Sequence, residues 1–362
     1  MKKRFLSLMM TLSLSAAILA GCGNSGSMAS TAASTAVSAE AAEVTTADTA
    51  ESASTAQAQS QAVPIKDRSG NAITVPAQVS SIISMAPSTT QLLIDLGLAD
   101  KIVACDTNSA AQFADSLTKD IPQFDMMTPD QEKIVALKPD LVFTSGMSSS
   151  SGTDVFQSVR DAGICVADIP SSSSIEGIQE DIQFVGSCVG ESDAASAIVT
   201  DMQKTVDEIK AIGSSIPENE KKTVLYEMST PTSDSPTIYS CGKDTYIDEI
   251  LTDIGAVNAA GEQTDQWPAL TEEAAVAMKP DVIITSDNYT EDVVNVLLKL
   301  SGWENVPAVQ NKAVYTVDAN LISQPNQHVT EAMIDMAKKI YPDQYADIQS
   351  AASDSASSEA SN

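Results

Sequence analysis

The segment EKIVALKPDLVFTS at 132–145 returns 141 residues later as EAAVAMKPDVIITS at 273–286, with eight of the fourteen positions identical and five more exchanging one apolar residue for another. A chain that twice writes a helix-sized stretch, a Lys-Pro-Asp break and a short apolar run must build two similar substructures. In the first copy Thr128 and Gln131 stand at capping-box spacing with Pro129 between them, which predicts a helix starting at Pro129. Pro139 lacks an N–H and stops that helix, with Lys138 at the negative end of its dipole. LVFTS then reads as a strand buried on both faces. In the second copy Thr271 caps, Pro280 stops, and VIITS follows.

A helix feeding a buried strand is half of a βαβ unit, and other strand candidates flank each copy. SIISMA and KIVACD precede the first and GICVADI follows it; TVLYEM precedes the second and AVYTVD follows it. Short apolar strands alternating with helices predict an α/β fold with parallel sheets, divided into two similar lobes. The period is far too long for a solenoid. Between the lobes, SDAASAIVTDMQKTVDEIKAIG places Ile198, Met202, Val206 and Ile209 at helical spacing, with Ser192 placed to cap and Gly213 to end the helix. About twenty helical residues span about 30 Å, so a single helix can join the lobes.

The ends are of another character. MKKRFLSLMMTLSLSAAILAGC has a basic start and an apolar run from Phe5 to Ala20, which reads as an export signal over 1–21. Leu19-Ala20-Gly21-Cys22 resembles the lipobox of bacterial lipoproteins, with Cys22 the lipidated residue; an ordinary signal peptide with an incidental cysteine is the alternative. Residues 22–62 are mainly Ser, Ala, Thr, Gly, Gln and Glu without an aromatic, a composition that predicts a disordered tether, and 349–362 repeats it. The expected organisation is therefore an N-terminal lobe at 63–190, a linker helix at 191–213 and a C-terminal lobe at 214–348.

A net charge of −29 argues against nucleic acid and against direct adhesion to anionic lipid, leaving a lipid anchor as the membrane contact. Only Arg68 and Arg160 remain once the signal carrying Arg4 is removed. Cys105, Cys165, Cys188 and Cys241 have no CxxC spacing and apolar surroundings, which favours single buried thiols.

With these motifs in order and spacing (ITVPAQVSSIISMAPSTTQLLIDLG, PDQEKIVALKPDLV, YIDEILTDIGAVN, QWPALTEEAAVAMKPDVI and GWENVPAVQNKAVYTVD), the chain from Pro64 to Tyr345 resembles the substrate-binding lipoproteins of the periplasmic-binding family that serve ABC importers of ferric siderophores, haem and cobalamin. The resemblance implies two Rossmann-like lobes joined by one rigid helix, with the ligand, a metal chelate, in the cleft between them. It implies a permease dimer and its ATPase as partners, a monomer, no cofactor of its own and an extracytoplasmic, membrane-anchored location. Two departures stand out: Gln91 occupies a position where the family usually has Glu, and Gln324-Pro325-Asn326-Gln327-His328 one where an Arg often follows a Pro.

Ligands of open α/β sheets sit beyond the carboxyl ends of the strands, so the loops there predict a binding set of Met85, Ser88, Asn108, Met126, Met127, Tyr239, Trp267, Tyr289, Gln324, Asn326 and His328. Trp267 is similar in position to a cleft tryptophan of cobalamin-binding relatives, the alternative being lobe core. Met127 resembles an axial methionine of haem-binding relatives, with His328 or Tyr289 as partner; packing for the methionine and a surface cap for the histidine are the alternatives. No metal ligand is expected unless the ligand is haem. Catecholate siderophores need several guanidinium groups, and two arginines disfavour them. Glu132 and Glu273 lead the two copies, and the resemblance implies that one carboxylate per lobe docks the permease; alternatively each merely favours its helix N-terminus.

Other classes fit less well. SGMSSSSG lacks GxSxG, one histidine would have to serve any serine triad, and neither a phosphate loop nor HExxH is present, so no enzyme is indicated. A receptor for free zinc or manganese needs several histidines. A sensory or adhesive lipoprotein reusing the same fold remains the alternative to transport.

Overall fold

The computed structural model describes residues 63–149, 154–232 and 234–349; the signal, Cys22, the tether to residue 62 and the tail from 350 lie outside the described residues. The N-terminal lobe runs β1 (Ile82–Ser84), α1 (Pro87–Asp95), β2 (Ile102–Asp106), α2 (Thr107–Gln112), β3 (Gln123–Phe124), α3 (Gln131–Leu137), β4 (Leu141–Ser145), α4 (Gln157–Asp161), β5 (Cys165–Ile169) and α5 (Ile175–Val189). Its five strands are parallel in the order β3-β2-β1-β4-β5. After α6 (Ser192–Ser214) the C-terminal lobe runs β6 (Thr223–Glu227), β7 (Thr237–Tyr239), α7 (Tyr246–Asp253), β8 (Val257–Asn258), β9 (Ala269–Thr271), α8 (Glu272–Ala277), β10 (Val282–Thr285), α9 (Val293–Leu297), α10 (Pro307–Gln310), β11 (Val314–Thr316), α11 (Ala319–Ile322) and α12 (Val329–Ile340). Four of these strands form a parallel sheet, β11-β10-β6-β8, and β7 pairs antiparallel with β9 as a separate ribbon. The chain thus lays β6, β8, β10 and β11 in the same relative order as β1, β2, β4 and β5.

The doubled Lys-Pro-Asp does the same mechanical task in both lobes. Lys138 and Lys279 both adopt left-handed backbone, φ 50° and 49°, where the chain leaves its helix. That conformation costs a non-glycine residue about 1–2 kcal/mol, so it persists only where its surroundings hold it. The following aspartate holds it. Asp140 Oδ2 accepts hydrogen bonds from the Ser80 and Ser81 amides at 2.9 and 3.0 Å and from both hydroxyls at 2.8 and 3.0 Å. Asp281 Oδ2 accepts from the Thr223 amide at 2.9 Å. Each aspartate therefore stitches the entry of the repeated strand to the entry of the lobe's central strand, β1 or β6, and fixes their register.

Local caps differ from the sequence expectation. Asp130, not Thr128, caps α3 by accepting from the Lys133 amide, because Thr128 is held in a turn by Asp125, whose Oδ1 accepts from the Met127 and Thr128 amides at 2.8 Å. Gln131 Oε1 accepts instead from the Ser158 amide. Thr271 caps α8 as expected. Ser192 provides no side-chain cap to α6, and Gly213 lies inside the helix rather than ending it.

Gly213 is needed for a different reason. A Cβ there would lie 2.1 Å from the Asp253 carbonyl oxygen, so only glycine lets α6 rest on the backbone after α7. At the other end, a Cβ on Gly186 would lie 2.3 Å from that of Ala195, so α5 and α6 also touch at glycine distance. Met202, Val206 and Ile209 of α6 are buried in one apolar core that runs from Leu93 and Ile182 in the first lobe to Ile250, Met333 and Tyr345 in the second. At about 1.5–3 kcal/mol for each large side chain removed from water, this helix is a structural beam and not a loose hinge.

The candidate ligand cleft

The carboxyl ends of β1, β3, β4 and β5 open onto a cavity of about 770 Å³ including its mouth. Ala86 to Thr89 and Leu92 line it from the start of α1, Met126 from beyond β3, Ser145 and Met147 from β4, and Ile169 to Ser171 from β5. One face of α5 adds Asp181, Ile182 and Val185. The second lobe contributes one stretch, Ser323 to Asn326, between α11 and α12. Pro87 starts α1 at a position where a missing N–H costs nothing, which brings that helix close to the cavity.

The wall carries a single charged side chain, Asp181. It is already engaged: its Oδ1 accepts from Arg68 Nε at 2.5 Å, and its other oxygen accepts from the Ser172 hydroxyl. Burial raises this carboxyl above its ordinary range, and the Ser172 and Arg68 bonds only partly offset that. Arg160 points elsewhere, donating from Nη2 to both oxygens of Asp168 at 2.8 and 2.7 Å, from Nη1 to the Val166 carbonyl and from Nε to Asp154. Both arginines beyond the signal segment are thus paired with the protein's own carboxylates.

Of the residues expected at the cleft, Ser88, Met126, Gln324 and Asn326 stand on the cavity wall. Met85 does not. It is fully buried in the first lobe's core with Phe124, Ile134 and Val142, because the chain is still in line with β1 there and its amide bonds to the Phe143 carbonyl. Asn108 is exposed within α2, its amide bonded to Asp106, and does not reach the cavity. Met127, Tyr239, Trp267 and Tyr289 are exposed and also lie outside the cavity wall. Tyr239 pairs with Ala269 at the end of the β7–β9 ribbon, and Trp267 lies in the bend just before β9. The Tyr239 carbonyl accepts from the Met228 amide just past β6, so Tyr239 stands at the carboxyl end of the second lobe's central strand.

His328 is not a free metal ligand. Its Nε2 lies 2.7 Å from Asp95 Oδ2 and its Nδ1 2.7 Å from Glu331 Oε1. Both ring nitrogens face carboxylates, which only the doubly protonated imidazolium satisfies, and no lone pair remains for iron. Among the described residues no cluster of three His, Cys, Asp or Glu could hold a metal ion. The four described cysteines are unpaired, and burial pushes the Cys105 and Cys188 thiols up to about 12.

The α5 wall was not foreseen from sequence; its apolar face reads equally as lobe core. Glu227 was missed as well. It is buried at the end of β6, and burial, with Asp287 adding like charge, pushes its carboxyl up to about 7.

Comparison with known proteins agrees with this geometry. The chain is 31% identical over 350 residues, 95% of its length and 99% of the relative's, to the uncharacterised ABC transporter substrate-binding lipoprotein YvrC of Bacillus subtilis. It is 26% identical to the cobalamin-binding protein of Halobacterium salinarum, covering 79% of this chain and 76% of that one. A solved periplasmic solute-binding protein of Staphylococcus epidermidis superposes with a TM-score of 0.61 at 27% identity, covering 73% of this chain and 99% of that one. Residues 82–321 match the family model described as periplasmic binding protein. The two-lobed α/β fold, the beam helix and these relatives together place the chain in the periplasmic binding protein family of ABC importers.

Proposed function

We propose that the protein captures a corrinoid, or another metal chelate without a large negative charge, and delivers it to an ABC permease. The observation that carries this reading is the cavity wall: it offers no cationic side chain, and its one carboxylate is already paired. A trianionic catecholate complex would meet no guanidinium there. The family consists of solute-binding proteins rather than enzymes, and the similarity to importer components supports transport over the sensory alternative. Exposed Trp267 and Tyr239 offer aromatic surface for the flat ring of such a ligand, and the cobalamin-binding name of the Halobacterium relative supports the same class. Haem held through Met127 or Tyr289 is disfavoured by the loss of His328 as a partner.

Among the described residues no helix is long and apolar enough to cross a membrane. We assign anchoring to two acyl chains on Cys22, consistent with the lipoprotein name of the Bacillus relative. Docking is assigned to Glu132 and Glu273, exposed in the first turns of α3 and α8 and without an ion-pair partner among the described residues. The test is an absorption titration of the mature protein with cyanocobalamin, haemin, a ferric trihydroxamate and a ferric tricatecholate. Saturable binding of cyanocobalamin without tricatecholate binding is expected; tight tricatecholate binding alone would overturn the reading.

A further inference from the structure

Residues 323–326 are the second lobe's whole contribution to the cavity wall, and together with Gln327 and His328 they form a stretch without regular secondary structure between α11 and α12. Its position is set by contacts with the first lobe. Gln324 Nε2 donates to Gln112 Oε1 at 2.7 Å, Gln327 Nε2 donates to Asp95, and His328 Nε2 lies 2.7 Å from the same Asp95. Asp95 is also the acceptor for Gln91 Nε2 at 2.8 Å. The helix carrying Asp95 is itself fixed in its lobe, since Thr90 Oγ1 bridges the buried hydroxyls of Ser84 and Ser109 at 2.8 and 2.9 Å.

The two charges make poor sense within their own helices. Asp95 is the last residue of α1, where the helix dipole presents its negative end, and His328 stands at the N-cap of α12, where the dipole presents its positive end. Each charge opposes its own helix and is matched only across the cleft, apart from Glu331 in the first turn of α12, which supports the imidazolium from behind. A pairing unfavourable locally and favourable only between lobes is where a functional constraint is expected.

We propose that Asp95 and His328 form an ionic latch that holds the 323–328 stretch, with Gln324 and Asn326, against α1 and so sets how long a ligand stays in the cleft. His328 acts as a positioning residue; it need not touch the ligand. The latch rests on the cleft being the binding site, as read above, but not on the ligand being a corrinoid.

The titratable groups facing the imidazole are Asp95 from α1 and Glu331 from α12. The Asp95 bond is the largest influence, outweighing burial, and with Glu331 it raises His328 to about 9. Because this folded value lies above the ordinary imidazole value of about 6.5, the latch is complete below that value and is lost as pH rises through about 9. It is therefore closed at neutral pH.

As the only histidine of the chain, His328 gives one unambiguous imidazole resonance. Titrated in the mature protein without ligand, it is expected to show a midpoint near 9, falling by about one pH unit or more in Asp95→Asn. Amide exchange over 324–328 is expected to quicken in Asp95→Asn and His328→Gln. His328→Lys keeps a positive charge and is expected to restore slow exchange and carry it above pH 9. With cyanocobalamin as probe, dissociation should quicken roughly fivefold in Asp95→Asn, while the thermal midpoint changes little. A wild-type midpoint near 6.5, or exchange unaffected by Asp95→Asn, overturns the latch. If cyanocobalamin does not bind, the corrinoid assignment fails and the dissociation comparison is made with haemin or the ferric trihydroxamate; dissociation unchanged in Asp95→Asn overturns the latch.

Discussion

The two lobes share a strand order and a Lys-Pro-Asp clamp, yet their carboxyl ends are built for different tasks. The first lobe ends in a concave apolar floor from four strands and α5, with Met85 buried beneath it. The second adds an antiparallel ribbon with exposed Tyr239 and Trp267, and places Glu227 at the position Met85 holds in the first. That correspondence follows from register: Ser84 pairs with Phe143 and Tyr226 with Ile284, the same residue of the two copies. The repeat keeps what fixes the sheets, and the two lobes differ at their carboxyl ends.

If the lobes remain equivalent on their outer faces, Glu132→Lys and Glu273→Lys should each reduce uptake partially, and together should abolish it by more than about tenfold while ligand affinity is kept. Unimpaired uptake by the double variant would confine both carboxylates to a helix-end role. The clamps should prove unequal: Asp140→Ala removes the acceptor for two amides and two hydroxyls and should cost about 2–3 kcal/mol, whereas Asp281→Ala should cost about 1 kcal/mol. Urea unfolding measures both, and equal losses would mean the clamps work through the left-handed lysines alone.

Glu227→Met gives the second lobe the residue of the first. An acid raised to about 7 when folded and lying near 4.3 when unfolded favours folding below the lower value, and that contribution is lost as pH rises to about 7. The variant should therefore be more stable than the parent at pH 8, by about 3 kcal/mol, with the gain vanishing near pH 4. A variant less stable at pH 8 would show that the carboxylate is held by bonds it makes when charged. Trp267→Ala, the smallest effect, should weaken cyanocobalamin binding by about 1 kcal/mol and leave the thermal transition in place, since the ring is 44% exposed.

The repeat made the fold legible because it carries the three signals that act locally: an apolar helix face, a proline stop and a doubly buried strand. All seven strand candidates named from sequence contain strands, and α6 spans the expected helix. The two-residue strands β3 and β8 and the β7–β9 ribbon left no trace, because pieces so short have too few residues to show a period. Sequence position after a strand points to Ser88, Met126, Gln324 and Asn326, which line the cavity, but cannot tell Met85, still in line with the strand and buried, from its neighbours. His328 illustrates the deeper limit. Glu331 is three residues on, but the partner that takes its second ring nitrogen, Asp95, lies 233 residues away and has no local signal.

The glycine contacts at the two ends of α6 bear on how binding can be reported. With Gly186 against Ala195 and Gly213 against Asp253, the beam has no slack at either lobe. A fluorophore pair attached one to each lobe would see almost constant separation and make a poor biosensor. A single solvatochromic dye at Ser88, which stands on the cavity wall, is the better design, since its signal depends on what arrives in the cavity and not on the lobes swinging.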